Sequence, residues 1–153
     1  MSAETRLKDL RIELPAVTPP KGLYRPLLIV GNVAYTSGHL PSAADGSLIT
    51  GRLGADLDEQ AGILAARQAG LAILATLRAA LGSLDSVRRV VRIFGAVQCT
   101  PEFTRQPAVL NGCSQLFADV FGADDGVGVR TAIGTSALPL GVAVEIEAVF
   151  EVD

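Results

Sequence analysis

The chain has 153 residues, 49% of them apolar and 19% charged, and thirteen Lys and Arg against sixteen Asp and Glu leave a net charge of −3. That length suits one domain with its own core, the apolar content excludes a disordered chain, and the acidic balance gives no basic footprint for nucleic acid. The apolar share is also high for so small a domain, so part of the surface is expected to lie against another subunit.

Residues 2–12 suit a short amphipathic helix, with Ser2 as N-cap, Leu7 and Leu10 on one face and Glu4 spaced to meet Lys8. Pro15, Pro19, Pro20 and Gly22 then break regular structure. Leu27–Val30 and Val33–Ser37 read as strands joined at Gly31-Asn32, a dipeptide that accepts the positive φ angles of a two-residue turn. Ala44-Asp45-Gly46 supplies another turn. A long helix is expected from about Asp56 to Leu81, where Ile63, Ala66, Gly70, Ile73, Leu74, Leu77 and Leu81 recur at spacings of three and four. Gly82 follows as its left-handed terminator.

Val87–Gln98 reads as a long strand whose Arg88, Arg89 and Arg92 belong to a solvated face. Pro107–Phe121 is a second long helix, with Leu110, Cys113 and Phe117 inward. Val129–Ala137 and Val142–Val152 complete the set as strands, joined through Leu138-Pro139-Leu140-Gly141. The order predicts an α+β fold: a single sheet with two helices on one face.

No apolar signal region opens the chain, and no uncharged apolar run approaches the roughly 18 residues of a membrane span, so no membrane partner is expected. Cys99 and Cys113 lack metal-ligand companions, and His39 is the only histidine, so no metal site is expected. Two unpaired cysteines suit a reducing, cytoplasmic setting. Gly126-Val127-Gly128 and Asp124-Asp125 read as turns, the first lacking the further glycines or lysine of a phosphate loop.

Val142–Val152 alternates cleanly, with Val144, Ile146, Ala148 and Phe150 on one face and Glu145, Glu147 and Glu151 on the other. If Ala137 pairs with Val142 across a tight turn, then Arg130, Ala132, Gly134 and Ser136 share the glutamate face, while Val129 and Ile133 meet the helices. The guanidinium fork of Arg130 suits a planar carboxylate, and a nearby glutamate suits water activation. In that register Glu147 is the diagonal neighbour of Arg130, at roughly 7–8 Å. Glu145 lies roughly 13 Å away. A small substrate would reach both Arg130 and Glu145 only through a bulge, a water or a neighbouring subunit. Parity by itself does not choose between the glutamates.

The stretch Arg130-Thr131-Ala132-Ile133-Gly134, Leu138-Pro139 and Val144-Glu145-Ile146-Glu147-Ala148 resembles the C-terminal signature of the RidA/YjgF family. These are the reactive intermediate deaminases, also named YjgF-type endoribonucleases or translation inhibitors. Tyr35-Thr36-Ser37-Gly38, Leu40-Pro41 and Asn111 extend the likeness, which covers nearly everything from Tyr24 onward.

The resemblance implies one chorismate-mutase-like domain over residues 1–153, with an N-terminal extension of about 22 residues. It also implies a homotrimer around a central β-barrel, with clefts between subunits. Arg130 would bind the carboxylate of a 2-imino acid and Glu145 would hold the attacking water. Tyr24, Gly38, Asn111 and Ala132 would line the substrate site. The products would be a 2-oxo acid and ammonia, formed without a cofactor. A non-catalytic trimer that binds small carboxylate metabolites is the alternative; endoribonuclease activity is a third, disfavoured by the acidic charge. Ala132 stands where active members often carry cysteine, and His39 where glutamine is frequent.

Overall fold

Each run of apolar periodicity becomes one element in the computed structural model, which describes residues 1–153: α1 (Ala3–Asp9), β1 (Leu27–Val30), β2 (Val33–Thr36), α2 (Glu59–Leu81), β3 (Val87–Gln98), α3 (Gln106–Phe121), β4 (Val129–Thr135) and β5 (Val144–Val152). Ser2 caps α1, and Gly82 closes α2 at φ +83°. The long helix begins at Glu59, later than the start expected near Asp56. Asp58 is its N-cap and accepts from the Ala61 N–H at 2.8 Å. Asp56 is held outside, accepting instead from the Arg52 N–H at 3.0 Å.

One five-stranded mixed sheet has the order β1-β2-β5-β3-β4. Gly31, at φ +61°, turns β1 into β2. α2 and α3 pack on one face of the sheet, and α1 docks against α3. The core between the layers includes Ile73, Leu74, Leu77, Leu110, Leu116, Ile146 and Phe150. Phe117, Phe121 and Phe150 meet edge to face, with centroids 5.5 to 6.2 Å apart. By length and composition α2 would suffice to cross a membrane, but its small residues are spent on helix packing. A side chain at Gly112 of α3 would meet the Ile63 carbonyl carbon at 2.9 Å.

The sheet corrects the expected final hairpin. β4 and β5 do not pair, because β3 lies between them. β4 runs parallel to β3, with Arg130 beside Ile93 and Ala132 beside Gly95. β5 runs antiparallel to the other side of β3, with Ala148 beside Ile93 and Glu145 beside Ala96. A parallel pair needs a crossover, and α3 supplies it. Pro139–Gly141 is correspondingly a short 3₁₀ turn linking separated strands, with Leu140 at φ 58°.

That strand order also reverses the two faces of β4. Arg130, Ala132 and Gly134 align with Ile93, Gly95 and Val97, whose row faces the helices. Val129 and Ile133, expected against the helices, lie on the open face and are 68% and 43% exposed. Two of the three arginines on β3 are paired off: Arg88 meets Asp153 at 2.7 Å, and Arg89 reaches Asp125 and Glu151.

Candidate functional site

Arg130 is positioned by β4 and by the crossover helix above it. Its Nη1 donates to Asn111 Oδ1 at 2.7 Å and to Ser114 Oγ at 3.1 Å. Asn111 and Ser114 stand one turn apart on α3, the spacing that puts two side chains on one helix face. No carboxylate opposes this guanidinium, and its Nε and Nη2 groups make no bond within the chain. The edge that takes a carboxylate in a fork is therefore free. Ala132 follows on the same side of β4 and packs against the core beside Gly95. Ser114 escaped the sequence reading; its spacing from Asn111 was visible, but only the crossover shows that Arg130 meets that face.

Glu145 sits on the opposite, open face, in register with Ala96 and Ile133. Beside it the β2–β5 ladder is irregular. Between Tyr35↔Val149 and His39↔Ile146, three residues on the β2 side stand against two on β5, as in a bulge. The Ala148 N–H finds Thr36 Oγ1 at 2.9 Å, and Gly38 lies directly over the Glu145 carboxylate. A Cβ at Gly38 would approach Glu145 Cδ at 2.8 Å, so glycine is what allows the backbone this close.

Burial, and secondarily the neighbouring Glu147, raise the pKa of Glu145 above the usual carboxylate range. Such a group gives up its proton more readily in the unfolded chain. Its contribution to stability is therefore present below about pH 4.3, the unfolded value, and is lost as pH rises through the higher folded value. Glu145→Gln is accordingly expected to melt above the wild type at pH 7, with the gap closing as the pH is lowered towards 4. Calorimetric melts across that range check it, and a gap independent of pH would contradict it.

Tyr24 and Gly38 line a cavity of about 400 Å³ beneath the proline-rich segment. His39 in its wall is not a free base. Its Nδ1 lies 2.7 Å from the Ser37 carbonyl and therefore carries the proton; its Nε2 accepts from the Thr76 hydroxyl at 2.8 Å. Burial lowers its pKa, against the smaller opposing effect of the Ser37 contact. Cys113 is buried among core residues, which drives its thiol pKa far upward.

The six candidate residues thus fall into two groups. Arg130, Asn111 and Ala132 share the helix side of β4, while Glu145 on the other face of the sheet meets Gly38, which lines a cavity with Tyr24. One copy of the chain does not present Arg130 and Glu145 to the same small molecule. Arg130 can hold an oxyanion, and Glu145 can accept and return a proton.

Comparison with known proteins places these features in context. A family model described as "YjgF/chorismate mutase-like, putative endoribonuclease" matches residues 4–149. Protein TCP17 of Trypanosoma cruzi is 41% identical over 147 residues, which cover 96% of this chain and 92% of that protein. The crystal structure of Atu1372 from Agrobacterium tumefaciens, a protein of unknown function, is 41% identical, with a TM-score of 0.88 over 99% of this chain and 94% of that one. RidA from an Antarctic Psychrobacter is 26% identical, with a TM-score of 0.63 over 92% of this chain and 98% of that one.

Proposed function

The chain belongs to the YjgF/chorismate mutase-like family, and from that premise we propose that it hydrolyses small 2-imino acids to 2-oxo acids and ammonia. The site is shared between copies: Arg130 of one chain holds the substrate carboxylate, and Glu145 of a second acts on the water. The copies assemble as a trimer in the cytoplasm, with their open sheet faces turned inward around a central barrel. The observation that carries the reading is the free guanidinium fork of Arg130, steadied by Asn111 and Ser114 and opposed by no acid.

The chemistry follows from these groups. Glu145 takes a proton from water as the water oxygen bonds to C2 of the imine and passes it to the imine nitrogen, which becomes an amine. The C–N bond of the resulting carbinolamine then breaks. Glu145 takes the proton of the C2 hydroxyl, which becomes the carbonyl, and gives it to the departing nitrogen, which leaves as ammonia. A carboxyl group whose pKa is raised by burial suits both transfers. The exposed apolar residues of the open face and of β1, among them Ile133, Tyr35 and Leu28, support an assembly that covers them.

The test generates 2-imino acids in situ with an amino-acid oxidase in the presence of semicarbazide. Purified protein is expected to lower the rate of semicarbazone formation by removing the imine; an unchanged rate overturns the reading. A second reading, carboxylate binding without turnover, is favoured by the separation of Arg130 from Glu145 within each copy. Binding of 2-oxobutanoate with no effect on semicarbazone formation would select it.

A further inference from the structure

A second hollow, of about 420 Å³, opens where β3 and β4 end and α3 begins, a volume within the range of small-molecule sites. It shares no residue with the Arg130 clamp, with Glu145 or with the cavity lined by Tyr24 and Gly38. Gly134 in its lining lies four residues along β4 from Arg130, roughly 13 Å at ~3.3 Å per residue.

Main-chain bonds fix the segments that form it. The Leu53 N–H donates to the Gln98 carbonyl at 2.9 Å, and the Leu53 carbonyl accepts from the Thr100 N–H at 3.0 Å. These bonds lace the Arg52 loop to the end of β3. Cys99 in turn donates its N–H to the Thr135 carbonyl at 3.1 Å, which ties in the end of β4. A Cβ at Gly134 would stand 2.8 Å from both Cys99 Sγ and Gln106 Nε2, so glycine is what lets these side chains settle over the strand.

The lining is polar, and its hydrogen-bonding capacity is only partly used. Arg52, the only formally charged residue in it, donates from Nη2 to the Ser136 carbonyl at 2.6 Å, while Nε and Nη1 make no bond within the chain. The acids that follow Arg52 in the chain are engaged elsewhere. Asp56 takes the Arg52 main-chain N–H, Asp58 caps α2, and Glu59 is paired with Arg105. Gln106 Nε2 is fixed by the Phe103 carbonyl at 2.8 Å, which leaves Oε1 as an accessible acceptor without a partner. The hydroxyls of Thr100 and Ser136 complete the set.

We propose that this hollow binds a short hydroxycarboxylate, its carboxylate on the free donors of Arg52 and its hydroxyl donating to Gln106 Oε1. A guanidinium with no acid partner suits a single planar oxyanion. The unused amide oxygen calls for a donor on the same ligand, and Thr100 and Ser136 can give or accept at either end. A plain carboxylate would leave Gln106 unanswered, and a neutral polyol would leave Arg52 so.

Calorimetric titration of the full-length protein with glycerate, propionate and glycerol tests it. Glycerate is expected to bind saturably and about 2–10-fold more tightly than propionate, the effect of one added hydrogen bond. Glycerol should not bind. Arg52→Gln should abolish one glycerate site per chain. Ser136→Asp, at an exposed position, should do the same by giving Arg52 an internal acid. Carboxylate held at Arg130 is indifferent to both substitutions. Arg88→Gln, which removes a charge at the far end of β3, should leave glycerate binding unchanged. A glycerate isotherm unaltered by Arg52→Gln or by Ser136→Asp overturns the proposal, as does glycerol binding as tight as that of glycerate. The absence of saturable glycerate binding, or an equal loss with Arg88→Gln, overturns it too. Failure of the semicarbazide assay, which reads Arg130 and Glu145, would leave all these expectations in place.

Discussion

Arg130→Ala is expected to abolish imine hydrolysis and to weaken 2-oxobutanoate binding by about 10²-fold or more, since each hydrogen bond to a charged group contributes about 1.5–3 kcal/mol and a fork makes two. The protein should stay folded. Arg130 lies on an edge strand, bonds only Asn111 and Ser114, and forms no ion pair whose loss would strand a buried charge. Arg130→Lys should recover little, because an ammonium keeps the charge but not the planar pair of donors.

The separation of Arg130 from Glu145 gives this prediction a sharper form. Chains carrying Arg130→Ala and chains carrying Glu145→Gln, each inactive alone, should regain part of the activity when co-expressed. The first supplies an intact Glu145 and the second an intact Arg130, and some interfaces bring the two together. Semicarbazone kinetics on the mixed oligomer measure it. No recovery from verified mixed oligomers, or a monomeric mass for the active protein, would sink the shared site.

Gly112→Ala should carry the largest stability loss of any glycine replacement on the helices. The added methyl would fall 2.9 Å from the Ile63 carbonyl carbon and 3.1 Å from the Arg67 nitrogen. Both are main-chain atoms of α2, so relief requires the two helices to move apart over a core that is already closely packed. Overpacking of this kind costs about 1–3 kcal/mol and sometimes more. At roughly 2–4 °C per kcal/mol for a domain of this size, Tm should fall by about 2–12 °C. Gly38→Ala is the control: the atoms it meets belong to the Glu145 side chain and not to main chain, so Tm should change much less. Scanning calorimetry of the two variants decides it, and equal melting points would show that the α2–α3 contact yields easily.

The elements themselves were legible because they rest on local rules. Helical spacing marked α2 and α3, Gly82 marked a helix end, and Gly31-Asn32 marked a turn; all are properties of neighbouring residues. The alternation along β5 likewise separated the glutamates from the core row, and the structure keeps that division. β4 was harder. As an edge strand it is partly exposed on both faces, so Val129 and Ile133 carry no strong signal for the core. Asn111 and Arg130 came from the resemblance, and their contact came from the crossover.

The sequence by itself determined which segments become strands and helices, which face of β5 is charged, and which side chains can hold an oxyanion or move a proton. These depend on residue type and on spacings of two to four. Only the tertiary structure decided that β3 lies between the last two strands, that Arg130 turns towards α3, and that Glu145 faces the other way under Gly38. Alternation gives every strand two faces without saying which face meets the helices or which strand lies beside it. That choice is made by the α3 crossover, which seats β4 parallel to β3 and turns the Arg130 row towards the helix above it.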